Sequence, residues 1–84
     1  METTEQVIRR VVAQKAEIDD TFAATADFIN DLQLDSLLTL EIIVAVEKHY
    51  AIKIHESRYP EFRSLKAAAG LVQEALNAKA VATG

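Results

Sequence analysis

The sequence predicts an all-α domain with three main helices, one short element before the last helix, and a long loop between the first and second. Three segments repeat apolar residues at helical spacing, and each follows a residue that can cap a helix. Only residues 51–55 alternate like a strand, and this segment is too short and solitary to build a sheet. We interpret it as an extended connector whose Ile52 and Ile54 point inward.

The first helix is predicted over residues 4–18. Thr3 and Gln6 have the spacing of a capping box, in which each side chain bonds to the backbone of the other residue. Five apolar residues form the stripe that should face the core: Val7, Ile8, Val11, Val12 and Ile18.

Residues 19–35 show no sustained periodicity and are predicted to form a long ordered loop. Loops of this length are uncommon inside compact domains and are often functional. Four apolar residues are expected to attach it to the core: Phe22, Phe28, Ile29 and Leu32.

The second helix is predicted over residues 37–50. Its core face should consist of Ile42, Ile43, Val46 and Tyr50. A helical wheel with about 100° per residue places Leu38 among polar residues, with Leu37 and Val44 at their edge. These three side chains are predicted to form an exposed apolar patch near Ser36, a feature that often marks a partner surface. The alternative is that loop residues such as Leu34 cover them.

The C-terminal part should contain one short helical turn within residues 56–62, limited by Pro60. Ser64 is a suitable N-cap for a last helix over residues 65–77. Its inner stripe is predicted to contain Leu65, Ala68, Leu71, Val72, Ala75 and Leu76. Residues 1–84 are therefore expected to form a single domain with an ordered core at about 4–77 and a frayed tail at 78–84.

Composition excludes several classes of protein. The net charge of −4 argues against a nucleic-acid partner, which requires clustered basic residues. The chain has no cysteine, no apolar run of the roughly 20 residues that span a membrane, and no signal-peptide core at its N-terminus. A cytoplasmic protein is therefore expected.

The charges are also unevenly distributed. Six acids and no Lys or Arg lie between Glu17 and Asp35, whereas six bases and three acids follow from Lys48 onward. Either the loop before Ser36 presents a negative face to basic partners, or the asymmetry is a chance property of a solvated surface.

Ser36 could cap a helix, act as a nucleophile or serve as an attachment point. A nucleophile needs a base within reach, but His49 should lie about 20 Å along the same helix and His55 beyond its far end. No metal-ligand spacing and no glycine-rich phosphate loop occur, so no catalytic activity is expected. Spacing alone leaves a cap or an attachment point, because a helix N-terminus also favours a phosphodiester.

The residues around Ser36 resemble a known family. The motif is Asp31-Leu32-x-x-Asp35-Ser36-Leu37-x-x-Leu40-Glu41, followed by an apolar helix and an Ile-x-Ile connector. It resembles that of the acyl carrier proteins and of the peptidyl and aminoacyl carriers that share their fold. The likeness covers nearly the whole chain and implies a small helical bundle of the acyl-carrier type.

The resemblance implies that a phosphopantetheinyl transferase attaches 4′-phosphopantetheine from coenzyme A to Ser36. The monomeric carrier would then hold acyl groups as thioesters for loading and processing enzymes. Asp35 matches the residue that helps to engage the transferase. Leu37, Leu38, Glu41 and Val44 match the face of the second helix that partner enzymes bind.

Two features depart from the family pattern. Gln33 stands where a glycine is usual, and Leu38, Lys48 and His49 stand where many fatty-acid carriers have acids. A carrier for a polyketide or another specialised pathway is therefore as well supported as a fatty-acid carrier. The alternatives are an aminoacyl or peptidyl carrier, and a helical interaction module in which Ser36 is only a cap.

Overall fold

The computed structural model describes residues 2–83, and within them it confirms the all-α prediction. Helix α1 spans Thr4–Ala16, α2 spans Ser36–Tyr50 and α3 spans Leu65–Thr83, with a 3₁₀ helix at Glu56–Glu61 before α3. The described residues contain no strand. They also contain no helix that is long and apolar enough to cross a membrane.

Helix α1 begins with the predicted capping box but ends two residues early. The Thr3 hydroxyl accepts a bond of 3.1 Å from the Gln6 amide, and the Gln6 side chain accepts one of 2.8 Å from the Thr3 amide. Glu17 turns into the left-handed region at φ 56° and ends the helix. Ile18 therefore leaves the helical stripe and is 37% exposed, so its predicted place in the core was wrong.

The loop between α1 and α2 is ordered, as predicted, and Phe28 is its main contact with the core. Phe28 is fully buried, while Phe22 and Leu32 are partly buried against the core. Ile29 is 49% exposed, so its predicted place in the core was wrong. Phe28 takes the inward position in the turn, which leaves the next side chain facing solvent.

Hydrogen bonds join this loop to the segment between the 3₁₀ helix and α3 and to the first turn of α3. The Phe28 amide donates to the Arg63 carbonyl at 2.7 Å, and the Lys66 amide donates to the Ala24 carbonyl at 3.0 Å. Arg63 Nη2 bonds to the Asp27 carboxylate at 3.1 Å. The loop before Ser36 is thus held by residues that follow it by 35 to 42 positions.

The start of the loop is held by Arg9 of α1. Its guanidinium donates to the carbonyl oxygens of Asp20, at 2.7 Å, and Phe22. The same group lies 4.8 Å from the centre of the Phe22 ring, which adds a cation–π contact.

Helix α2 supplies the centre of the core. Ile42, Ile43 and Val46 are buried as predicted, and Tyr50 is half-buried. The helix begins at Ser36, one residue before the predicted start, and ends where Ala51 enters the left-handed region at φ 54°.

The exposed apolar patch differs from the predicted one in two positions. Leu38 is half-buried and packs against the core, because it lies four residues before Ile42 and so shares the buried face. Leu37 and Val44 are exposed as predicted, at 68% and 39%. Leu40 joins them at 40%, because it is three residues after Leu37 and four before Val44.

The connector and the short element agree with the predictions. Residues 52–55 have no regular structure, Ile54 is buried and Ile52 is half-buried against the core. The Ile54 amide donates to the Glu47 carboxylate at 2.7 Å. The 3₁₀ helix contains Pro60 and is linked to α3 by the ion pair between Arg58 and Glu74 at 2.7 Å.

Helix α3 begins as predicted and runs six residues beyond its predicted end at 77. The Ser64 hydroxyl accepts a bond of 3.1 Å from the Ala67 amide. Lys79 Nζ donates to the Ala51 carbonyl at 2.9 Å, near the C-terminus of α2 where free carbonyls favour a cation. The tail expected to fray at 78–84 is therefore helical up to Thr83, and Gly84 lies outside the described residues.

The different burial of two neighbouring leucines gives a stability test. Leu38→Ala should lower the free energy of unfolding by about 1–3 kcal/mol, because it removes methyl groups from the edge of the core. Leu37→Ala should change it by less than about 0.5 kcal/mol, because that side chain is largely exposed. Urea denaturation of both variants measures the difference, and equal losses would contradict the assigned packing.

Asp27 gives a prediction about acid stability. Backbone bonds from Asn30 and Ile29 and the bond from Arg63 lower the pKa of Asp27, against the opposing effect of burial. Because the folded pKa is the lower one, this stabilisation is complete above the unfolded value of about 3.9 and is lost as pH falls through the folded value. Asp27→Asn should therefore flatten the fall in unfolding free energy below about pH 4.

The matched control for this measurement is Asp19→Asn in the same loop. The Asp19 side chain is exposed and makes no hydrogen bond to another described residue. Urea denaturation at a series of pH values should show the parental slope for this control. An unchanged slope in Asp27→Asn would contradict the assigned contacts.

Candidate functional site

Ser36 is exposed at the first position of α2, and its hydroxyl bonds to no other described residue. The other two serines both have partners. The Ser57 hydroxyl lies 2.8 Å from His55 Nδ1, and the Ser64 hydroxyl caps α3. Among the serines of the described chain, only Ser36 has a hydroxyl without a hydrogen-bond partner. This hydroxyl is therefore open to reaction.

Asp35, not Ser36, caps the helix. Its carboxylate accepts a bond of 2.7 Å from the Leu38 amide, and its carbonyl accepts the Thr39 amide at 3.0 Å. The possibility that Ser36 is the cap was therefore wrong. Within the described chain, the amides of Ser36 and Leu37 have no acceptor, so they and the helix dipole favour an anion at this end.

The chain reaches Ser36 through an unusual backbone conformation at Gln33. Gln33 has φ 58°, in the left-handed region that costs a residue with a side chain about 1–2 kcal/mol. The next residue, Leu34, is buried and donates its amide to the Phe28 carbonyl at 2.8 Å. These contacts hold the turn even though the residue is glutamine rather than glycine.

A pocket of about 330 Å³ opens beside Ser36, between α2 and the 3₁₀ helix. Its apolar lining is formed by Ile29, Leu40, Ile43, Pro60 and Phe62. The polar groups around it belong to Ser36, Thr39, Tyr59 and Arg63. An apolar pocket with a few polar groups is the usual form of a small-molecule site.

The outer face of α2 brings together most of the residues predicted to bind partners. Leu37, Glu41 and Val44 are exposed on this face, and Leu40 extends it. A shallow groove beyond Leu40 is lined by Glu41, Val44 and Ala45 and by the side chains of Lys15 and Lys48. Among the described residues, neither lysine makes an ion pair.

The site offers no acid–base partner to Ser36. Neither histidine lines the pocket beside the serine. His49 packs edge-on against Tyr50, and His55 bonds to Ser57. In the described part of the chain, no three metal-ligating side chains lie close enough together to hold an ion.

Sequence reasoning predicted no residue of the pocket other than Ser36 as part of the site. Leu40 could have been found from its spacing to Leu37 and Val44. Ile29 and Arg63 reach the pocket through the loop and the segment before α3, and no periodic pattern indicated this.

Comparison with known proteins agrees with this arrangement. A family model described as a phosphopantetheine attachment site matches residues 6–72. An acyl carrier protein of Brachyspira hyodysenteriae is 36% identical over 69 residues, which cover 80% of this chain and 88% of the relative.

Two further relatives are a polyketide synthase carrier and a chloroplastic carrier. The polyketide-8 synthase acyl carrier protein 2 of Streptomyces avermitilis is 37% identical over 60 residues, or 70% of this chain and 69% of the relative. The chloroplastic acyl carrier protein 2 of Hordeum vulgare is 35% identical over 71 residues, or 84% of this chain and 55% of the relative.

Both kinds of match cover most of the chain, and the family model runs from Gln6 in α1 through the loop, α2 and the 3₁₀ helix to Val72 in α3. Members of this family are carriers rather than enzymes, and they work with a phosphopantetheinyl transferase and with acyl-processing enzymes. The chain belongs to the acyl carrier protein family, and its cofactor is 4′-phosphopantetheine.

Proposed function

We propose that Ser36 carries the phosphopantetheine arm and that the chain delivers acyl groups, as thioesters on that arm, to enzymes of a fatty-acid, polyketide or other specialised pathway. The observation that supports this assignment best is the exposed Ser36 hydroxyl, which no described residue binds. Asp35 caps the helix in its place, so modification of Ser36 removes no bond of the fold.

The reaction that installs the arm needs only an accessible hydroxyl from this chain. The Ser36 oxygen forms a bond to the pantetheine-bearing phosphorus of coenzyme A as the P–O bond to the bridging oxygen breaks. Adenosine 3′,5′-bisphosphate leaves with the electron pair, and the hydroxyl proton passes to a base of the transferase. The product places an anionic phosphodiester beside the free amides of Ser36 and Leu37, where the helix dipole stabilises it. The exposed Asp35 lies beside this position and is the residue we assign to transferase recognition.

The arm, when bound, supplies the thiol that carries the acyl group, and the protein supplies position. The apolar pocket beside Ser36 suits the chain of a short cargo, since its volume of about 330 Å³ lies near the lower limit for ligand sites. Ile43 and Phe62 form its inner wall, because both are buried core residues.

The face of α2 formed by Leu37, Leu40, Glu41 and Val44 is the docking surface in this proposal. Apolar side chains flanked by charge are typical of transient interfaces. Leu38, which the resemblance also assigns to this face, is half-buried and contributes less exposed area. Lys48 lies at the far end of the face from Ser36, so a partner with an acidic group there fits this chain.

We further propose that the chain acts as one carrier domain, as a monomer in the cytoplasm. One core cluster unites residues from all three helices, the loop and the segment before α3. The family match favours a carrier over the alternative of a non-carrier interaction module. The three relatives described above are acyl carrier proteins, which favours an acyl cargo over an aminoacyl or peptidyl one.

The attachment site can be tested by substitution. Ser36→Ala should gain no mass on incubation with coenzyme A and a broad-specificity phosphopantetheinyl transferase, whereas Ser57→Ala and Ser64→Ala should gain one arm each. The free energy of unfolding of Ser36→Ala should stay within about 0.5 kcal/mol of the parent value, because Asp35 supplies the cap. An arm detected by mass spectrometry on Ser36→Ala would disprove the assignment.

The docking surface can be tested by reversing its charge. Glu41→Lys should slow acyl loading of the holo protein by its cognate enzyme, most strongly at low ionic strength, because salt screens exposed charges. Glu5→Lys on α1 is the matched control, with the same change of charge at another exposed position. Loading rates across a salt series measure the effect, and equal rates for parent and both variants would place docking elsewhere.

A further inference from the structure

Arg63 is the charged residue among those that line the pocket beside Ser36. It lies in the short segment between the 3₁₀ helix and α3, and its side chain is 67% exposed. An arm attached to Ser36 would place a phosphodiester anion at the mouth of the same pocket. The cation and this anion would therefore share one small volume next to the start of α2.

The guanidinium of Arg63 is only partly used by the folded chain. The guanidinium has five N–H donors. Only one of its nitrogens, Nη2, bonds to a described partner, the Asp27 carboxylate at 3.1 Å. An ion pair this exposed contributes little to stability. Arg63 can therefore change partner without a large loss.

Asp27 does not depend on Arg63 to remain satisfied. Its Oδ1 accepts the amides of Ile29 and Asn30, both at 2.9 Å, and these bonds hold the turn that contains Phe28. The Asn30 amide is also the largest single cause of the lowered pKa of Asp27. The carboxylate keeps its backbone donors if Arg63 moves away.

A phosphodiester is the stronger competitor for this guanidinium. Its two free oxygens match the fork of an arginine side chain, which can donate two parallel bonds to them. Asp27 accepts from Arg63 through a single oxygen. The exchange thus replaces one bond by two, and the Asp27 carboxylate keeps its two backbone donors.

We propose that Arg63 binds the phosphodiester of the arm carried by Ser36 and gives up its ion pair with Asp27 when the arm is attached. This inference rests on the proposed role of Ser36. Arg63 then holds the first atoms of the arm along the pocket between α2 and the 3₁₀ helix. Attachment of the arm also breaks the ion pair between Asp27 and Arg63, which links the loop to the segment before α3.

The test uses the holo forms of the parent and four variants, prepared with coenzyme A and a broad-specificity phosphopantetheinyl transferase. Phosphorus NMR reports the environment of the phosphodiester, with the urea-unfolded holo protein as the reference for an unbound arm. The signal of Arg63→Gln should move toward this reference and become narrower. Arg63→Lys, which keeps the charge but loses the fork, should give an intermediate shift.

Two controls separate phosphate binding from a purely structural role. Asp27→Asn breaks the same ion pair but keeps the cation, so its phosphorus signal should stay at the parental position. Arg58→Gln removes a guanidinium that pairs with Glu61 and Glu74 and does not line this pocket, so it should also match the parent. In the parent, the difference in phosphorus shift between the folded holo protein and the unfolded reference should become smaller as salt is raised from about 0.01 M to about 1 M. Over this range the Debye length falls from about 30 Å to about 3 Å.

The exchange of partners has its own measurement. Carbon NMR titration of the Asp27 carboxyl should give a higher pKa in the holo than in the apo parent, and no such difference in Arg63→Gln. An unchanged Asp27 pKa would overturn the exchange.

The remaining outcomes separate the two proposals. Identical phosphorus signals for the parent and Arg63→Gln would overturn the binding role, as would a signal in Asp27→Asn that moves with that of Arg63→Gln. A parent protein that gains no arm would overturn both the role of Ser36 and this inference.

Discussion

The burial of Phe28 is the constraint on which the rest of the site depends. Its ring is fully buried, with its centre 5.8 Å from that of Phe62, and its amide bonds to the Arg63 carbonyl. Through this one residue the loop before Ser36 is packed against the segment between the 3₁₀ helix and α3. The pocket beside the serine is lined by this loop, this segment, α2 and the 3₁₀ helix. Without this anchor the loop would not be held in place before Ser36, and the pocket beside the serine would lose the wall that the loop forms.

The start of α2 divides two tasks between neighbouring residues. Asp35 caps the helix through the Leu38 amide, whereas the Ser36 side chain bonds to no described residue. In a serine that also capped the helix, the esterified oxygen would be a poorer acceptor for the cap bond. The separation lets the protein accept a bulky modification at a helix terminus without a change of fold. The left-handed Gln33 belongs to the same arrangement, because it turns the chain so that Leu34 is buried and Asp35 reaches the cap position.

The sequence predicted what depends on periodicity and local caps. Thr3, Ser64 and the buried face of α2 follow from spacing alone, and the motif around Ser36 indicated the family. It did not predict features set by the path of the loop. Ile18 and Ile29 are apolar but exposed, because a left-handed turn at Glu17 and the inward position of Phe28 direct them outward. Leu38 was misplaced on the helical wheel, although its spacing to Ile42 indicates burial. Arg63 was missed because its neighbours lie far away along the chain.

The contact between Asp27 and Arg63 joins residues 36 positions apart and encloses all of α2. In folding, such a contact closes a large loop and is made only after more local structure exists, because the entropy of closure must be lost before the contact forms. The turn around Phe28 is thus expected to join the native structure late and to open before the helices do. Ser36 stands at this boundary, with a helix on one side and a loop held by distant residues on the other. A nascent chain would therefore complete its helices before it presents a finished attachment site.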